Sequence, residues 1–180
     1  MKKVKVIPLI SKEKIDQKIE QLAAQISSDY ANENLIMVCI LKGAWMFMAD
    51  LVRKLTIPVA CDFLGVSSYG SGTETSGIVK ITSDLTLPVE GKSVLIVEDI
   101  VDTGLTLNYI KDILTRRKSK TVKICALLDK PERHIEEIKI DYLGFTIPNK
   151  FVVGYGIDYD EKYRHLPYIG YIEFEEEEKS

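Results

Sequence analysis

Residues 94–107 read VLIVEDIVDTGLTL, and this run decides the fold. Turn signals precede it at Leu87-Pro88 and Glu90-Gly91. The short unbroken apolar stretch that follows predicts a buried β-strand over 93–97. That strand delivers Glu98 and Asp99 to its carboxyl end, where open α/β sheets bind ligands. Two adjacent carboxylates repel each other, so they call for hydroxyl groups, a cation, or both. Asp102, Thr103, Gly104, Leu105 and Thr106 then open a helix predicted over 103–117. Gly104 permits a tight backbone path. Successive N–H groups at a helix start form an anion nest, and Thr103 and Thr106 add hydroxyl donors. Carboxylates for a sugar or metal thus stand beside a cradle for a phosphate. A sugar phosphate satisfies both halves. Helix capping by Asp102 or Thr103 would explain one residue, but not the Glu98-Asp99 pair as well. No GxxxxGK[ST] occurs, and no GxGxxG follows the strand.

Outward from this run, strand and helix signals alternate. Ser11 caps a first helix whose apolar face is Ile15, Ile19, Leu22 and Ile26. LIMVCIL, over 35–41, is a buried strand. A helical stretch follows with Trp45, Met48, Leu51, Val52 and Leu55 on one side, and Trp45, Met46 and Met48 read as core. Pro58 introduces a strand over 59–66. SSYGSGTETSG, over 67–77, has almost nothing to bury, and a loop of that length is read as a lid. Further strands are predicted over 78–82, 122–128, 141–145 and 151–155. Arg116, Arg117 and Lys118 complement the dipole at the end of the 103–117 helix. The acidic tail over 173–179 is a solvated end, entered through a strand holding Tyr171 and Phe174. The expectation is an α/β fold with a mainly parallel central sheet covered on both faces.

Composition narrows the function. The chain has 180 residues, 46% of them hydrophobic, which suits one domain with a substantial core. The formal net charge of -3 disfavours a general nucleic-acid binder. Cys39, Cys61 and Cys125 lie singly in apolar runs without metal-ligand spacing, so buried reduced thiols are expected. No stretch reaches the ~20 apolar residues of a membrane span, and the start lacks a signal peptide. A soluble cytoplasmic protein, with no membrane or nucleic-acid partner, is expected.

The run at 94–107 resembles the signature that phosphoribosyltransferases use for 5-phosphoribosyl 1-diphosphate. Its EDIVDTGLT form, with Asp102, is similar to the hypoxanthine–guanine branch. The resemblance extends over about 35–164 through LKGAWMFMADL from Leu41, SSYG from Ser67, LLDKPER from Leu127 and FVVGYGIDYDEKYR from Phe151. It implies a type I phosphoribosyltransferase-like fold in one domain over 1–180. A small hood would come from about 1–12 and 145–180, and a mobile lid from about 67–78.

What the resemblance implies for the site is specific. Glu98 and Asp99 would hold the ribose hydroxyls, directly or through Mg²⁺. The loop of Asp102, Thr103, Gly104, Leu105 and Thr106 would bind the 5′-phosphate. Asp102 would sit near purine N7 and move its proton. Lys42 and Gly43 would form the diphosphate loop, with a cis Leu41–Lys42 peptide. Ser68 and Tyr69 would belong to the lid, and Arg164 would contact the diphosphate. On the purine side, Lys130 would donate to O6, Phe151 would stack on the ring and Val152 would read the base through its backbone. Asp158 is grouped with them and would also face a second Mg²⁺. Arg133 matches an arginine near the diphosphate.

Read without the resemblance, Lys42 is a surface lysine, Phe151 a strand aromatic and Lys130 a helix-start charge. His134 and His165 read as surface residues. The resemblance implies a Mg²⁺-dependent transfer to hypoxanthine or guanine by a homodimer or homotetramer. Competing readings are a transferase for xanthine, uracil or adenine, and an RNA-binding attenuation regulator on the same fold.

Overall fold

The computed structural model describes residues 4–68 and 79–174. Six strands form the central sheet: β2 (Leu35–Leu41), β3 (Ala60–Ser68), β4 (Val79–Ser83), β5 (Ser93–Val101), β6 (Thr121–Asp129) and β7 (Tyr142–Thr146). Their spatial order is β4-β3-β2-β5-β6-β7, parallel throughout except for β4 against β3. Among the described residues, three α-helices flank it: α1 (Lys12–Asp29), α2 (Trp45–Val52) and α3 (Leu105–Arg116). A second, antiparallel sheet joins β1 (Val4–Ile10), β9 (Ile169–Phe174) and β8 (Val152–Val153) in that order. This small sheet is the expected hood. No helix among the described residues is long and apolar enough to cross a membrane.

The apolar runs serve two cores at once. Successive strand side chains point to opposite faces. Leu35, Met37 and Cys39 of β2, with Leu95 and Val97 of β5, pack with α1 and α2. Ile36, Val38 and Ile40, with Val94 and Ile96, pack with Leu107, Ile110 and Leu114 of α3. A central strand covered on both faces has no polar positions to alternate, which is why these runs are unbroken. Helix α1 is capped as expected, Ser11 Oγ accepting from Lys14 N at 3.4 Å, and Ile15, Ile19, Leu22 and Ile26 are buried.

Several local expectations need correction. Trp45 is 46% exposed. The buried face of α2 is centred on Phe47, Met48 and Leu51, and at 100° per residue Trp45 lies off that face. Cys61 is exposed rather than buried, because β3 alternates Cys61 and Phe63 outward with Asp62 and Leu64 inward. β5 continues to Val101, four residues past the apolar run, since its pairing with β6 extends to Val101 opposite Asp129. Helix α3 begins at Leu105, not Thr103. The strand expected over 151–155 is only Val152–Val153, because Gly154 (φ 99°) and Tyr155 (φ 51°) turn the chain. Arg117 does more than complement a dipole, gripping Asp84 through both terminal nitrogens at 2.8 and 2.7 Å.

The parallel register places three strand ends together. β2 ends at Leu41, β5 at Val101 and β6 at Asp129, all on one edge of the sheet. The segments that leave these ends begin with Lys42, Asp102 and Lys130. The sheet thus gathers three loops that are far apart in sequence.

Candidate active site

An open cleft lies at this edge, lined by residues 40–43, Val66, 98–104, Thr106 and Leu107. Its floor is the end of β5. Glu98 retains some residue surface, but its Oε2 is sealed and has no hydrogen-bond partner among the described residues. Burial, reinforced by the adjacent Asp99 charge, pushes the Glu98 carboxyl well above its ordinary value. Asp99 turns one oxygen back to Ile100 N at 2.9 Å. Its other oxygen lies where a side chain at position 43 would begin, 1.7 Å from a Cβ built on Gly43. Only glycine lets the 41–43 loop come this close to the carboxylate. The Leu41–Lys42 peptide within that loop is cis.

The far wall is the start of α3. Gly104 is its N-cap residue, in the left-handed region at φ 83°, and no side chain caps the helix. Asp102 and Thr103 are therefore not consumed as caps, and the first N–H groups of α3 belong to the cleft wall. The loop is braced from behind, where Thr103 O accepts from Ile135 N at 3.0 Å. A Cβ on Gly104 would stand 3.0 Å from Glu136 O. A helix N-terminus with a positive backbone field suits a phosphate dianion.

The third loop follows β6. Lys130 N donates to Val101 O at 3.0 Å, which ties it to the end of β5. The Lys130 residue is 9% exposed. Burial lowers the pKa of its ammonium, against a smaller raising effect of Asp102. Arg133 Nε donates to Asp102 Oδ1 at 3.0 Å. His134 Nε2 lies 2.7 Å from Asp129 Oδ1 in a partly buried contact. The Pro131–Arg133 3₁₀ turn is thus fastened at both ends.

The hood contributes a fourth segment, 151–164. Phe151 is half exposed, with Tyr159 edge-on at a centroid distance of 5.4 Å. Val152 is buried, its backbone in β8 opposite Tyr171 of β9. Arg164 Nη1 donates to Gly156 O at 2.8 Å, and its Nη2 pairs with Asp158 Oδ1 at 2.8 Å. Glu161 accepts from Lys42 Nζ at 3.1 and 3.2 Å and from Arg164 Nη2 at 3.2 Å. Lys42 first, then Arg164, holds the Glu161 carboxyl below its ordinary value. A Cβ on Gly156 would lie 2.1 Å from Gly43 O, so the hood backbone rests directly on the 41–43 loop. The first two residues of the lid expected over 67–78, Ser67 and Ser68, belong to β3, while Tyr69 and the rest of that segment lie outside the described residues.

Comparison with known proteins decides what this arrangement belongs to. A family model described as phosphoribosyl transferase domain matches residues 10–160. The hypoxanthine-guanine phosphoribosyltransferase of Streptococcus thermophilus (strain CNRZ 1066) is 48% identical over 167 residues, 93% of this chain and 93% of its own. That of Bacillus subtilis (strain 168) is 49% identical over 162 residues, 90% of each. A solved hypoxanthine phosphoribosyltransferase from Staphylococcus aureus superposes with a TM-score of 0.89 at 46% identity, over 92% of this chain and 90% of that one. The chain belongs to the hypoxanthine–guanine phosphoribosyltransferase family.

In this hypoxanthine–guanine phosphoribosyltransferase, some contacts around the cleft involve residues that the sequence did not mark. Glu161 is one acid among several in DYDEKYR, and nothing local announces that it reaches Lys42, 119 positions away. His134 is not a plain surface residue, because its ring is held against the buried Asp129. Arg133, which the resemblance places near the diphosphate, has its guanidinium bonded to Asp102. Asp129 and His134 are five positions apart, a spacing with no helical or strand periodicity, and Arg133 meets Asp102 from 31 positions away.

Proposed function

We propose that this chain transfers the 5-phosphoribosyl group of 5-phospho-α-D-ribose 1-diphosphate to N9 of hypoxanthine or guanine, releasing IMP or GMP and diphosphate. The observation that carries this reading is the meeting of three loops at one sheet edge. Glu98 and Asp99 stand at the strand end, the unfilled start of α3 beside them, and Lys130 on the next loop.

The residues divide the substrate among them. The N–H groups and hydroxyls of Thr103, Gly104, Leu105 and Thr106 receive the 5′-phosphate. Glu98 and Asp99 receive the ribose hydroxyls. Lys42, Gly43 and Arg164 face the diphosphate, and Ser68 and Tyr69 are assigned to phosphoribosyl diphosphate binding by the family resemblance. Lys130 donates to purine O6, Phe151 covers the ring, and Val152 reads its edge. Lys130 selects 6-oxopurines because the 6-amino group of adenine presents a donor to a donor.

The bond from C1 of the ribose to the diphosphate oxygen breaks while N9 bonds to C1, through an oxocarbenium-like ribose. Asp102 takes the N7 proton, which leaves N9 more nucleophilic.

A Mg²⁺ ion suits this donor set. Hard carboxylate oxygens are present, and Glu98 Oε2 is sealed without a hydrogen-bond partner among the described residues. No cluster of three or more potential ligands occurs among the described residues. One or two carboxylates completed by substrate oxygens and water is the usual setting for this ion. Glu98, Asp99 and, at the diphosphate, Asp158 would hold it, and it would neutralise the leaving diphosphate. We further place the protein in the cytoplasm as a homodimer or homotetramer of one domain.

The reading is tested by incubating the protein with Mg²⁺, phosphoribosyl diphosphate and each of hypoxanthine, guanine, xanthine, adenine and uracil. Equimolar IMP or GMP and diphosphate supports it. Turnover confined to adenine or uracil, or none at all, rejects it.

A further inference from the structure

Glu161 occupies an unusual place for an acidic side chain. Its carboxylate lies between Lys42 Nζ, at 3.1 and 3.2 Å, and Arg164 Nη2, at 3.2 Å. These two cations come from different sheets, one from the loop after β2 and one from the segment between β8 and β9. Both are the groups assigned above to the diphosphate. A carboxylate that accepts from both is doing what a diphosphate oxygen would do.

The backbone presents Glu161 for this contact. Asp160, Glu161 and Tyr163 all have left-handed φ values, 52°, 58° and 72°. Side-chain-bearing residues rarely adopt that region, so three in four positions mark a conformation held by its surroundings. The holding contacts are visible. Glu161 N donates to Asp158 Oδ2 at 2.9 Å, and the other Asp158 oxygen pairs with Arg164. Gly156 N donates to Arg164 O at 3.0 Å while Arg164 Nη1 donates back to Gly156 O. Arg164 is therefore fixed, and the loop aims the Glu161 carboxylate at it.

The contact is also easy to displace. Lys42 and Glu161 side chains are both about two-thirds exposed. Solvent-exposed ion pairs contribute little, and a ligand with more charge and more oxygens outcompetes a single carboxylate.

We propose that Glu161 is an internal stand-in for diphosphate, which keeps Lys42 and Arg164 together in the free enzyme and competes with the substrate's diphosphate group for them. This rests on the transferase reading above. The competition weakens the grip on phosphoribosyl diphosphate, and it equally weakens the grip on product diphosphate. When the product loosens, Glu161 returns to the two cations and blocks its rebinding.

The test is calorimetric titration of inorganic diphosphate, with Mg²⁺ at a fixed excess, into wild type, Glu161→Gln and Asp160→Asn. Gln keeps the backbone and the shape but loses the charge. Asp160 is the neighbouring acid and pairs with Lys162 instead, so Asp160→Asn controls for a general change in local charge. The expected result is binding about three- to tenfold tighter for Glu161→Gln, as the loss of one exposed and one partly buried ion pair would suggest, and within about twofold of wild type for Asp160→Asn. Unchanged or weaker binding by Glu161→Gln overturns the proposal and leaves Glu161 a positioning residue for Lys42 and Arg164. Equal tightening by both variants overturns it in favour of a general field effect. If wild type binds no diphosphate at all, the transferase reading falls and this inference falls with it.

Discussion

Arg133 donates its Nε–H to Oδ1 of Asp102 at 3.0 Å, joining the turn after β6 to the loop after β5. The two side chains are equally exposed, at 43% each. An ion pair open to water contributes about 0–1 kcal/mol to stability. Its value here is geometric, because it fixes one oxygen of the residue assigned to the N7 proton and leaves the other for the base. Arg133→Ala is therefore expected to lower kcat by about three- to tenfold while Tm moves by less than about 4 °C. Steady-state kinetics and a thermal melt on the same preparation check this. A large Tm loss would show that Arg133 supports the fold instead.

Lys130 is a buried cation beside Asp102, with its ammonium pKa lowered chiefly by burial. Hydrogen bonds to a charged group contribute about 1.5–3 kcal/mol. Lys130→Ala is expected to raise KM for hypoxanthine by about 10- to 100-fold and to narrow the preference over adenine. The ratio of kcat/KM for the two bases is the readout. An unaltered ratio would remove the O6 contact from the account.

Glu98 is costly to the free protein. Burial and the Asp99 charge both disfavour its ionised form, so its carboxyl is raised. For a raised carboxyl, the charged form is penalised above the folded-state pKa and the penalty fades as pH falls and the group takes a proton. Glu98→Gln is expected to raise the Tm of the ligand-free, Mg²⁺-free protein at pH 8, with the difference shrinking toward pH 5. The same variant should lose most of the Tm increase that phosphoribosyl diphosphate and Mg²⁺ give the wild type. A lower Tm at pH 8 would contradict the burial argument.

Asp62 shows the opposite sign, away from the site. It is buried, which alone would raise its carboxyl, but N–H groups of Leu87, Phe63 and Thr86, each at 2.8 Å, hold it below the ordinary value. A lowered carboxyl stabilises above its unfolded pKa, and that stability is lost as pH falls through the folded value. Asp62→Asn is expected to cost about 1–3 kcal/mol near pH 7, and the gap from wild type should close toward pH 3. Denaturant melts at the two pH values measure it. A gap of constant size would mean that shape, not charge, holds the 85–87 turn.

Much of this was legible in the sequence where a pattern repeats over several residues. The α1 face at Ile15, Ile19, Leu22 and Ile26 and the β2 run are local signals that form where expected, and the 102–106 segment opens a helix two residues later than expected. Patterns with two solutions were less readable. Trp45 and Met48 share a helical spacing, but the neighbours of α2 choose the Phe47–Leu51 side. The polar residues Glu98 and Asp99 hid the continuation of β5, which depends on pairing with β6. At the site, the loop glycines were readable as types, whereas the reason for Gly43 is the Asp99 carboxylate pressed against it. Contacts such as Lys42–Glu161 and Arg133–Asp102 depend on how the hood and three strand ends meet, and no local spacing encodes them.

The central claim is that Asp102 moves the purine N7 proton, and Asp102→Asn tests it most directly. Positioned proton transfer contributes about 10²–10⁴-fold to rate. The account predicts a kcat for hypoxanthine lower by at least about 10²-fold, with Tm and the affinity for phosphoribosyl diphosphate close to wild type. A variant that binds its substrates normally and turns over at the wild-type kcat would contradict it.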